Sequence, residues 1–236
     1  MPLESLISGF LSCMGPGLSL YLPVVVANHD MFLVSLISFF MYIFSLILSS
    51  VVWSLISISS PSIFAAILFS VIFQEVGRAA SWFVITVLDR NFFIYLRDDF
   101  KLVSPKYAYM NGLSFGISFT ILNSSNYVRS LWGDGDVQYE NITNDALTAA
   151  LINFLVIVLN ISWSLMLFKA LNERKYIIMV VCYVSHFLMA WQSKFHNSKY
   201  GIYVLAFDIF IMIATSIFTG IIMLQKLPPA ISSANN

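Results

Sequence analysis

Apolar residues run along this chain in seven long stretches, separated by short polar breaks. A helix rises about 1.5 Å per residue, so about 20 apolar residues cross a hydrocarbon core of about 30 Å. The pattern predicts spans over 5–27, 32–57, 62–87, 107–128, 145–168, 174–194 and 200–224. Backbone groups in lipid must pair within their own segment, which makes these spans helices. The slightest break is Ser59-Ser60-Pro61, where a polar dip and a proline divide the second stretch from the third. The expectation is an all-α, polytopic membrane protein of about seven transmembrane helices. One membrane domain covers 1–227, and 228–236 reads as a short flexible tail.

Composition points the same way. Of 236 residues, 59% are hydrophobic and 10% charged, against about 25% charged in a soluble domain. Net charge is zero, and no run of five or more like charges occurs, which argues against a general nucleic-acid binder. Cys13 and Cys182 both lie in apolar stretches, which provides neither a disulfide framework nor a zinc pattern. The first stretch lacks a basic flank; Glu4 is its only early charge. It reads as a retained first helix and not a cleaved signal.

Lys and Arg decide orientation. One set of connections holds Arg90, Arg97, Lys101, Lys106, Lys169, Arg174, Lys175 and Lys226, and the other holds Arg129, Lys194 and Lys199. The richer set belongs in the cytoplasm. The N-terminus is then luminal or extracellular and the C-terminus cytoplasmic. The sequon Asn141-Ile142-Thr143 falls in the 129–144 connection, which this orientation places on the luminal side where glycosylation occurs.

Two groups of residues carry chemistry. In the fourth span Ala108, Gly112, Gly116, Thr120 and Ser124 recur every four residues and line one helix face. Small side chains let a second helix approach closely, which drives association in lipid. The approaching helix can belong to this chain or to a partner. The second group comprises strongly polar residues inside spans: Gln74, Glu75 and Arg78 in the third, Asn160 in the fifth, His186 in the sixth and Asp208 in the seventh. Glu75 and Arg78 stand three residues apart on one face. Each alone would cost about 2.5–3.5 kcal/mol at mid-bilayer, so pairing and burial are expected. A structural ion pair and a catalytic or metal-binding carboxylate are both open readings of Glu75. Gly112-Leu113-Ser114-Phe115-Gly116 fits the G-x-S-x-G pattern of a nucleophile elbow. That elbow needs a strand-to-helix turn, whereas Ser114 lies within a continuous span.

The same segments, in order, resemble the Aph (anterior-pharynx-defective) family, the scaffold subunit of γ-secretase. They are Gly15-Pro16, the run Ser45 to Trp53, Gln74-Glu75-Val76 with Arg78, Gly112 to Ile117, Leu147 to Ala150, and Ser185-His186. The resemblance implies a non-catalytic subunit of an intramembrane aspartyl protease, with presenilin, nicastrin and presenilin enhancer as partners and no cofactor or metal of its own. It also implies residence in the endoplasmic reticulum, Golgi and plasma membrane. By that analogy the Gly112/Gly116 face is the family's glycine motif for packing and assembly. The chain departs from the pattern at Thr120, where the third glycine would stand, and at Asn160, which takes the position of a span-five histidine. A role that needs two histidines therefore does not transfer.

The rival is an intramembrane endopeptidase of the type II CAAX prenyl-protease kind, using Glu75 and His186 with Arg78 and Asn160. Gln74 replaces the first of its paired glutamates. A transporter would need more polar groups than Asn160, His186 and Asp208 provide. An aspartyl protease would need a second intramembrane aspartate beside Asp208 and a Gly-x-Gly-Asp motif.

Overall fold

The computed structural model describes residues 3–56, 62–92, 104–132, 142–192 and 201–225. Among them are seven helices: α1 Leu3–Ala27, α2 His29–Ile56, α3 Ile63–Phe92, α4 Pro105–Trp132, α5 Ile142–Glu173, α6 Tyr176–Gln192 and α7 Gly201–Leu224. Four are long and apolar enough to cross a membrane: His29–Ile56, Ile63–Asp89, Ala150–Glu173 and Ile202–Leu224. The chain is thus an all-helical, multi-pass integral membrane protein. Asn141, the Ser59–Pro61 junction and the tail over 228–236 lie outside the described residues.

Helices α3, α4 and α5 run past the apolar stretches that announced them. The polar connections over 88–106 and 129–144 are partly helical, at 88–92, 105–106, 129–132 and 142–144. Hydropathy marks where a helix meets lipid, and hydrogen bonding continues beyond that point. Ser104 opens α4: its hydroxyl accepts the Lys106 N–H at 3.3 Å, and Pro105 takes the first helical position, where no N–H is needed. Arg174 closes α5 with φ 56°, and the Lys175 N–H donates to the Ala170 carbonyl at 2.9 Å. This is a Schellman turn with arginine in the place glycine usually takes. Glu173 then binds both Lys169, at 3.1 Å, and Lys175, at 2.7 Å.

Helices α4 and α5 form the centre of the bundle, with α4 buried on every side from Met110 to Ser118. A helix wrapped in protein has no lipid to face, so α4 can carry Asn111, Ser114 and Ser118. Asn111 joins three helices: its amide donates to Ser38 Oγ of α2 at 2.8 Å, and its carbonyl accepts from Ser164 of α5 at 3.0 Å. The outer helices turn large apolar side chains outward, including Phe40 and Phe44 of α2, Phe83 of α3 and Phe210 of α7. On α2 the buried face carries Ser35, Ser38, Ser45 and Ser49. A Cβ at Gly77 of α3 would meet Ser45 Cβ at 3.0 Å and the Met41 carbonyl at 3.1 Å, so glycine and serine together let α2 and α3 touch. Arg78, the residue that follows Gly77, lies in the interior.

Candidate functional site

The small-residue face of α4 is spent inside the chain, against α5. A Cβ at Gly112 would lie 2.5 Å from both the Asn160 carbonyl oxygen and the Ile161 Cα. At Gly116 it would lie 2.8 Å from the Ile157 Cα. Two turns of α4 therefore rest directly on α5 backbone. Ala108 and Thr120 are buried at the ends of the contact, and the Thr120 hydroxyl donates to the Gly116 carbonyl at 2.9 Å. Because threonine satisfies its own hydroxyl in this way, it can replace a glycine in the stripe without an unpaired group. The Ser124 side chain lies outside the described residues.

The close approach at Gly112 delivers Asn160 to Arg78. Asn160 Oδ1 accepts from Arg78 Nη2, while its amide donates back to the Val156 carbonyl at 2.8 Å. Arg78 Nη1 donates to Glu75 Oε1, one turn earlier on α3. From α6, His186 Nδ1 reaches the same Glu75 oxygen at 2.6 Å. An ionised carboxylate only accepts, so the ring proton sits on Nδ1. Arg78 Nη1 is 3.5 Å from that nitrogen, a contact between two donors.

Aromatic rings enclose the guanidinium. The Phe115 centroid is 5.0 Å and the Trp163 centroid 5.3 Å from Arg78 Cζ, within reach of a cation–π attraction. Trp163 also stacks on His186, with centroids 4.1 Å apart, and donates its indole N–H to Ser185 Oγ at 2.9 Å. The Cys182 thiol lies 3.5 Å from the Trp163 carbonyl and 3.7 Å from Glu75 Oε2. Arg78 has no exposed surface. A charge so deep is tolerable only when paired and bonded, and here Glu75 of α3 pairs it and Asn160 of α5 accepts from it, while Nε has no hydrogen-bond partner.

Of the six intramembrane polar residues singled out in the sequence, the fold gathers Glu75, Arg78, Asn160 and His186. It leaves two aside. Gln74 turns to its own helix, donating to Ser70 Oγ at 3.2 Å. Asp208 accepts from Gln192 and holds α6 to α7. Ser114 donates to the Met110 carbonyl at 2.8 Å within an unbroken helix, so it occupies no nucleophile elbow. Sequence reasoning missed Trp163, Phe115 and Gln192. Trp163 was within reach of it, because it stands one turn after Asn160 on the same face of α5. Gln192 sits at the end of α6, where a polar residue draws no notice.

Asn160 offers a direct test of the network. Asn160→Leu removes the acceptor from a buried guanidinium donor, a loss of about 1.5–3 kcal/mol. Asn160→His, whose unprotonated nitrogen still accepts, is expected to retain part of it. Thermal unfolding in mild detergent should rank wild type above histidine and histidine above leucine. An unchanged leucine variant would remove Asn160 from the network's energetics.

The fold and site together define a polytopic helical membrane protein whose central helices are packed on backbone and pinned by a buried ionic cluster. This chain belongs to the Aph-1 family: the family model described as Aph-1 protein matches residues 5–226. It is similar to the Homo sapiens protein named Gamma-secretase subunit APH-1B, with 27% identity over 220 residues, 86% of this chain and 83% of that protein. It is also similar to the Drosophila melanogaster Gamma-secretase subunit Aph-1, with 24% identity over 179 residues, 75% of this chain and 74% of that one. The Mus musculus Putative gamma-secretase subunit APH-1C is 25% identical over 194 residues, covering 76% and 74%.

Proposed function

We propose that this chain is a non-catalytic scaffold subunit of γ-secretase. It holds presenilin, nicastrin and presenilin enhancer in one intramembrane aspartyl protease, which cleaves Notch-like and amyloid-precursor-like proteins. Membership of the Aph-1 family supports the assignment to the complex. One observation supports the scaffold role over catalysis: the carboxylate of the buried cluster is engaged on both oxygens. Glu75 Oε1 is bound by Arg78 and His186, and Oε2 faces the Cys182 thiol. A general base must reach a proton on substrate or water, and this carboxylate is already committed to cross-linking helices. The CAAX-protease reading would need Glu75 free and a second carboxylate where Gln74 stands.

On this reading the N-terminus is luminal, the C-terminus cytoplasmic and Asn141 available for glycosylation. The membrane domain covers 1–227, followed by a short cytoplasmic tail over 228–236. The complex resides in the endoplasmic reticulum, Golgi and plasma membrane. Complementation tests the function. In cells of the source organism lacking this chain, re-expression is expected to restore cleavage of a Notch-like reporter. Glu75→Gln should lower complex abundance and cleavage in parallel. Full complex abundance with cleavage lost would favour a catalytic Glu75 instead.

A further inference from the structure

We draw no further inference here: the strongest candidate, the half-open inward face of α3 around Ser70 and Gln74, carries nothing because nothing in the structure shows what covers it.

Discussion

Gly112→Leu is expected to unseat α5 from α4 and to destabilise the solubilised protein by about 3 kcal/mol or more, the upper range for overpacking. The Cβ alone would stand 2.5 Å from the Asn160 carbonyl oxygen and the Ile161 Cα. An ordinary contact needs about 3.5 Å or more, so α5 backbone must retreat by about 1 Å before the rest of the leucine is placed. Both obstacles are backbone, which cannot step aside by changing a rotamer. The retreat also carries Asn160 away from Arg78, so one substitution damages packing and the polar cluster together. Gly116→Leu should behave similarly, because its Cβ meets the Ile157 Cα at 2.8 Å. Gly220→Leu is the control: that glycine is exposed on α7 with nothing within 4 Å of a Cβ. Membrane insertion should survive in all three variants, since each adds apolar surface to an apolar span. Monodispersity and thermal unfolding in mild detergent would separate them, and a stable Gly112→Leu protein would refute the backbone contact.

The second large effect concerns the buried charges. Arg78→Met leaves Glu75 without its cation, and Glu75→Gln leaves Arg78 without its anion. Breaking a buried ion pair by removing one partner costs about 3–5 kcal/mol. Exchanging both partners for apolar side chains of similar size avoids the stranded charge. The double variant Glu75→Met with Arg78→Met should therefore be more stable than Arg78→Met alone. His186 would still lose its carboxylate acceptor, which limits the recovery. Thermal unfolding of the wild type, Arg78→Met, Glu75→Met and the double variant closes the cycle and isolates the coupling. Additive losses would mean that the two charges do not act as a pair in the folded protein.

How much of this was legible in the sequence depends on whether the signal lies along one helix or between two. The apolar runs announced all seven helices, and the period of four in Ala108, Gly112, Gly116 and Thr120 announced a face built for close approach. Glu75 and Arg78 declared themselves because they share a face of one helix. What the sequence left open was which helix uses the glycine face. A stripe of small residues specifies closeness and not identity, and only the fold places α5 there. Cross-helix partners were equally hidden: nothing local connects Asp208 to Gln192, or Asn111 to Ser38 and Ser164. The polar extensions of α3, α4 and α5 were missed for a different reason, because a membrane criterion stops where apolarity stops.

The arrangement also shows what α5 must supply to the cluster. Arg78 needs an acceptor from α5, and the Asn160 side-chain oxygen Oδ1 fills that role. His186 comes from α6, oriented by Glu75 and stacked on Trp163. Glu75 accepts from both Arg78 and His186, and Asn160 accepts from Arg78, while Arg78 Nε has no hydrogen-bond partner.

The central claim, that this chain is a scaffold inside γ-secretase, is tested most directly by purifying it with a tag from its own membranes in mild detergent and measuring the stoichiometry of what accompanies it. The account predicts presenilin, nicastrin and presenilin enhancer in equimolar amounts with the chain. Recovery of the chain alone, under conditions in which a known γ-secretase stays intact, would contradict it.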